Sequence, residues 1–245
     1  MTSAFHTLPA ASATPLLIFG DHASRHIPAR YGDLGLSGED LTRHIAWDIG
    51  TETVIRELCA RYGAAGHICG FSRLLIDANR DPHAAGLIPS ASDGTDIPAN
   101  QDLSYMERAL RVAEFYAPYH GALAQAVEAL RGAHENPLLL SVHSFTPKPL
   151  TGPDSAAGRP MDLALLVKDD TQTAQAFMAG AAEQFPDFDC RINEPYSAYD
   201  LNYTIDVHAK GLRHLAIEIR QDHIDTNAKA RGLAEPLGNI LKSLI

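Results

Sequence analysis

The sequence predicts an α/β protein: a single domain on a mostly parallel, mixed and twisted sheet, with helices covering both faces. Three observations predict it. The apolar runs Leu16–Phe19, Leu138–Val142 and Leu215–Ile219 have the length and continuity of strands buried on both faces. Longer stretches between them repeat their apolar residues at helical spacing, as alternating strands and helices require. The 245 residues fit one such domain and suffice for a substantial core. Residues 1–245 are therefore read as one unit, with 1–14 as a loose lead-in.

The first run stops at Gly20 and delivers Asp21, His22, Ser24, Arg25 and His26 directly behind it. After a surface loop at Gly32–Asp40, Val54, Ile55, Leu58, Cys59 and Tyr62 mark one helical face, and Gly63 ends it. His44 and Asp48 share a face if that helix begins early, and Trp47 is expected in the core or a pocket wall. Gly66–Asn79 reads as extended, two short strands split at Gly70. Ala84–Asp102 is aperiodic, and a loop of that length is expected to border the pocket.

Ser104-x-x-Glu107 is a capping box ahead of a helix through Ala109, Leu110, Val112 and Phe115. Pro118 is expected to kink or break it, with Leu123, Val127 and Leu130 continuing the stripe. The strand Leu138–Val142 then leads into His143, Ser144 and Phe145, and Thr146–Arg159 forms a second loop at the same sheet edge. A strand at Asp162–Val167, a helix at Thr173–Phe185 and a short strand near Cys190–Asn193 follow. Glu194–Lys210 suits a structured loop. The strand Leu215–Ile219 carries Glu218, and Asn227–Leu244 closes the chain as an amphipathic helix.

Apolar content of 45% and a mean hydropathy near zero argue against disorder and membrane insertion. A net charge of −10 disfavours a nucleic-acid backbone binder. The N-terminus has neither a basic start nor an apolar core of the kind a secretion signal carries. Three scattered cysteines, Cys59, Cys69 and Cys190, suit reduced thiols and hence the cytoplasm. Arg25, Arg73, Arg80 and Arg220 gather at the strand-end motifs, which suits a small anionic substrate, or else pairing with Asp21, Asp77, Asp81 and Asp222. Oligomeric state leaves no trace in the pattern.

Ligands in open α/β sheets bind at the carboxyl ends of strands, so polar residues there are site candidates. His22 and His143 stand at two such ends and are nominated as zinc ligands. Asp48 is the third candidate, with His44 and His26 as rivals, and an N-cap role explains Asp48 equally well. Glu218 interrupts a strand that should be buried on both faces, where an unpaired carboxylate is costly. It is either a general base acting on zinc-activated water or half of an internal ion pair. No phosphate-binding loop, dinucleotide fingerprint or serine-hydrolase elbow is present.

The set DHASRHIP, RHIAWDIG, FSRLLIDANR, SDGTDIPAN, PYH, VHSFTP, NEPY, YTIDVH and IEIRQD, spanning Asp21 to Asp222, resembles the N-formylglutamate amidohydrolase family. That family is similar to the zinc carboxypeptidases and aspartoacylases, which implies a carboxypeptidase-like α/β fold. The resemblance implies one zinc ion on His22 and His143, with Glu218 as general base and acid. It implies that Asn79 and Arg80 grip a substrate carboxylate and that Arg73 stabilises the oxyanion or binds a second carboxylate. The superfamily pattern His-x-x-Glu is here His22-x-x-Arg25, so the carboxylate ligand is expected from elsewhere, Asp48 first. A dicarboxylate needs a second cation, for which Arg25 or Arg220 is available, and Tyr203 and His208 are expected to line the pocket. The implied reaction is amide hydrolysis of an N-acyl acidic amino acid, N-formylglutamate first. The alternatives are another N-acyl amino acid, a peptidase, or an anion-binding protein with a degenerate metal site.

Overall fold

The computed structural model describes residues 3–245. Strands β1 (Phe5–Leu8), β2 (Leu16–Gly20), β3 (Ala65–Cys69), β6 (Leu138–Phe145), β7 (Leu163–Leu166), β8 (Cys190–Ile192) and β9 (Arg213–Arg220) form one sheet; β4 (Ala91–Ser92) and β5 (Thr95–Asp96) make a separate hairpin. The sheet order is β1-β3-β2-β6-β9-β7-β8. Strands β3, β2, β6 and β9 run parallel, β1 and β7 pair antiparallel to their inner neighbours, and β8 is parallel to β7.

Alternation along the strands splits the core in two. Leu16 and Ile18 face one layer, where they meet α1 (Thr51–Tyr62), α4 (Thr171–Gln184) and α6 (Asn227–Leu244) through Val54, Leu58, Phe177 and Leu237. Leu17 and Phe19 face the other, against α3 (Ala117–Ala133) through Tyr119, Leu123 and Val127. Among the described residues no helix is long and apolar enough to cross a membrane.

The differences from expectation have local causes. The lead-in holds β1, an edge strand on β3, while Met1 and Thr2 lie outside the described residues. Only β3 forms within 66–79. Beyond Gly70 the backbone is claimed by side chains, with Asn100 Nδ2 donating to the Leu74 carbonyl and Arg111 Nη1 to that of Leu75. Helix α2 (Tyr105–Arg111), opened by the expected Ser104–Glu107 capping box, does not break at Pro118. It passes through a π-helical segment, Val112–Tyr116, into α3, which accommodates a residue without an N–H. The 194–210 stretch contains a short helix, α5 (Tyr203–His208), whose Thr204 N–H is capped by Asn79 Oδ1 at 2.9 Å. Strand β6 continues through His143 to Phe145, because β9 goes on pairing with it.

Candidate metal centre

Strands β6 and β9 place His143 and Glu218 directly opposite each other in register. Leu139 and Ala216 belong to the α3-side core, so counting by twos along each strand puts His143 and Glu218 on that same face. His22 follows β2 by two residues. Asp48 lies before α1, whose first residue is Thr51, so the expected early helix start is corrected, and Gly50 rather than Asp48 is the N-cap. Gly50 has φ 85°, and a Cβ there would stand 2.1 Å from the Ile224 carbonyl oxygen. That tight turn returns the chain beside β2, where the Asp48 N–H donates to the His22 carbonyl at 2.8 Å.

Asp48 Oδ2 is 3.5 Å from His22 Nδ1 and 2.8 Å from His143 Nδ1. Ligand atoms of His22, Asp48 and His143, all buried, lie within 4.8 Å of one another. Each imidazole has a carboxylate behind it. His22 Nε2 donates to Asp77 Oδ1 at 2.7 Å, and His143 Nε2 faces Asp21 Oδ2 at 3.4 Å. A guanidinium can only donate, and that of Arg73 meets His22 at Nδ1, so His22 keeps its proton on Nε2 and turns a lone pair on Nδ1 toward Arg73 and Asp48. A carboxylate in this position fixes the tautomer of a ligating histidine and raises its basicity. Asp21 is itself held by the hydroxyls of Tyr119 at 2.8 Å and Thr204 at 3.0 Å.

The donor set fits a divalent cation. Two imidazole nitrogens and a carboxylate converge, the buried Asp48 Oδ1 accepts no hydrogen bond although it faces the Arg73 guanidinium, and this composition suits zinc. Burial pushes His143 down, but the carboxylates of Asp21 and Asp48 on either side outweigh it and hold the ring well above its ordinary value. Protein side chains thus already favour positive charge here. The Arg73 guanidinium supplies some of it, donating to His22 Nδ1 and lying 3.1 Å from Asp48 Oδ1.

Glu218 is buried, with Oε2 lacking any hydrogen bond, and burial pushes its carboxyl up to about 7 against the pull of His143. No basic side chain is ion-paired with it among the described residues, so the ion-pair reading of this residue has no partner on which to stand. A cavity of about 110 Å³ is lined by His22, Asp48, His143, Glu218, Arg73, Asn79 and Arg80, together with His44, Ser144, Tyr196 and Leu201.

Comparison with known proteins adds the family. A model of the N-formylglutamate amidohydrolases matches residues 14–224. The chain belongs to the N-formylglutamate amidohydrolase family. The crystal structure of gene product Atu2144 from Agrobacterium tumefaciens is 33% identical, covering 99% of this chain and 96% of that one, with a TM-score of 0.89. An N-formylglutamate amidohydrolase from Ralstonia eutropha JMP134 is similar in fold, at 22% identity and TM-score 0.79, covering 100% of this chain and 97% of that one. No curated protein matches the chain.

Four residues nominated from the sequence of this family member do not line the cavity. Arg25 is exposed, stacks over the Trp47 ring at 5.5 Å and borders a separate outer depression that also holds His26. Arg220 is turned away toward Asp162 at 2.9 Å and Asp222 at 2.8 Å. Tyr203 and His208 sit on α5 behind the Ala78–Arg80 segment. There His208 Nε2 meets His120 Nδ1 at 2.9 Å, and His120 Nε2 donates to the Ala78 carbonyl. Of the rivals to Asp48, His44 lines the cavity with Nδ1 3.9 Å from Asp48 Oδ1, outside the convergent group.

Sequence reasoning missed the supporting roles of Asp21 and Asp77. The argument applied to Glu218 reaches both: each follows a buried apolar run, LLIFG or LLI, and a carboxylate there needs a partner.

Proposed function

We propose that the chain hydrolyses the amide bond of an N-acyl acidic amino acid, N-formyl-L-glutamate first, to formate and L-glutamate, with one zinc ion held by His22, Asp48 and His143. The observation that carries this reading is the buried His-Asp-His group with a carboxylate behind each imidazole and Glu218 opposite His143. When bound, zinc polarises the scissile carbonyl and makes water acidic enough to give up a proton near neutral pH.

The chain's own residues do the rest. Glu218, with a free buried oxygen, accepts the proton of the attacking water and returns it to the amide nitrogen as the C–N bond breaks. Arg73 steadies the negative charge that develops on the carbonyl oxygen. Arg80, beside Asn79, offers a guanidinium fork to the α-carboxylate. Burial of His22, Asp48 and Glu218 excludes bulk water from the reacting groups. Free cysteines suit the cytoplasmic placement that goes with this reading.

The test is formate release from N-formyl-L-glutamate before and after exhaustive chelation, with zinc restored. Activity lost on chelation and regained with zinc is the expected result. Full activity in a metal-stripped sample rules the mechanism out. One observation favours a second reading, a metal-free binder of small anions: Arg73 already contacts two of the three donor residues. Metal content below one equivalent after growth in zinc, with no turnover of any N-formyl or N-acetyl amino acid, would support it.

A further inference from the structure

A second cavity, of about 520 Å³, shares His44, Arg73 and Tyr196 as a common wall with the histidine cavity. The catalytic steps above leave it unused. Its charged lining is cationic, Arg43, Arg73, Lys148 and Arg159 against one carboxylate, Asp93. Asp93 is already engaged, by the N–H groups of Leu150 and Thr151 and by Arg43 at 3.2 Å. Arg43 is engaged in turn by Asp40 and Thr95.

Arg159 differs from both. Its side chain is only 8% exposed. Nε donates to Asp154 at 2.9 Å, and Nη1 donates to the Tyr196 hydroxyl at 3.0 Å and to the Thr146 carbonyl at 3.3 Å. The guanidinium also lies 4.9 Å from the centre of the Tyr196 ring. Among the described residues nothing accepts a hydrogen bond from Nη2. The Tyr196 hydroxyl accepts from Arg159, which leaves its own proton to donate. Arg159 lines the second cavity and Tyr196 stands in the wall it shares with the first, so the pair sets two unused donors beside the histidine cavity, the complement of a carboxylate.

We propose that Arg159, oriented by Asp154 and Tyr196, is the specificity residue that receives a second carboxylate, so that the site selects dianionic N-acyl amino acids over those with neutral side chains. This rests on the proposed function for the identity of the reaction and supplies the second cation that neither Arg25 nor Arg220 brings to the site.

The test uses probes that need no turnover. Glutarate and butyrate, differing by one carboxylate, are titrated calorimetrically into the full chain. Glutarate is expected to bind roughly tenfold to a hundredfold more tightly, the weight of one charge-assisted contact. Arg159→Met is expected to abolish that preference, and Tyr196→Phe to shrink it severalfold. Arg159→Gln, which keeps a donor for Tyr196 and Thr146, carries the same test should Arg159→Met not fold. Equal binding of the two probes by the wild type, or a preference that survives loss of the guanidinium, overturns the assignment. A glutarate preference that depends on Arg159, in a protein that cleaves no N-formyl amino acid, upholds this inference while removing the reaction on which it was built.

Discussion

Glu218 and Asp77 show how much of the site rests on carboxylates that have left water. Glu218 holds a proton-accepting oxygen in a dry place, with its carboxyl pushed up to about 7 by burial, near where a general base works best. Glu218→Gln keeps shape and volume, and the expected result is a fall in kcat of about a thousandfold with bound zinc retained. Steady-state kinetics beside metal analysis checks this, and a variant that keeps most of its kcat removes Glu218 from the reaction. Asp77 acts one bond further out. Asp77→Asn loses the negative charge behind His22 and can turn an NH2 donor toward Nε2, which weakens its hold on the His22 tautomer, and zinc affinity is expected to drop about tenfold to a hundredfold. Competition with a chromophoric chelator measures it. Unchanged affinity would make the Asp77 contact merely structural.

At the scale of elements, the site depends on strand register and on helices packed against both faces of the sheet. Register alone sets Glu218 opposite His143, and a slip of one residue would send either side chain to the other face. Helices α1 and α6 cover the layer away from the site and meet closely: a Cβ at Gly238 would lie 2.0 Å from the Tyr62 ring. Gly238→Ala must therefore part the two helices or turn the ring out, at a cost of about 1–3 kcal/mol that outweighs the gain in helix propensity. Urea unfolding reads this directly, and an unchanged or raised midpoint contradicts the close approach. Because α6 is remote from the cavity, kcat of the folded fraction is expected to hold. The same scale shows where sequence patterns lead and where they stop. The repeat in Asn227–Leu244 predicts α6 with the observed limits, since an amphipathic stripe is a local property. No periodicity could reveal that 70–79 stays irregular, because its carbonyls are satisfied by Asn100 and Arg111 from elsewhere in the chain.

For the whole molecule, the α3-side core encloses histidines in neutral form. Burial drives His67 and His208 each down to about 4, and His120 is lowered for the same reason. A depressed value in the folded protein means that the unfolded chain binds more protons between about pH 6.5 and 4, so stability is lost as pH falls through that window. His67, wedged between the rings of Phe5 and Tyr119 with Nε2 donating to the Tyr119 carbonyl, contributes on the order of 3 kcal/mol of that loss. His67→Gln retains a donor without the titration. Urea unfolding at pH 7 and pH 4.5 is expected to show a smaller acid penalty for the variant, and equal penalties would mean that His67 is not among the groups responsible.

The sequence by itself determined the α/β class, the longer strands and helices, and the nomination of His22, His143, Asp48 and Glu218. Each follows from local pattern, since a buried strand or an amphipathic helix declares itself within a dozen residues and a charge inside an apolar run is conspicuous. The tertiary structure decided which arginines face the cavity and which carboxylates stand behind the histidines. Arg25 and Arg220 sit in motifs as promising as those of Arg73 and Arg80, yet one stacks on Trp47 and the other is held by Asp162 and Asp222. Arg159, in a loop without periodicity, is held in the adjoining cavity by partners at Asp154, Thr146 and Tyr196. The direction of a long charged side chain is set by whichever counter-charge the fold brings within reach, and that meeting is decided by strand order and loop packing, not by neighbours along the chain.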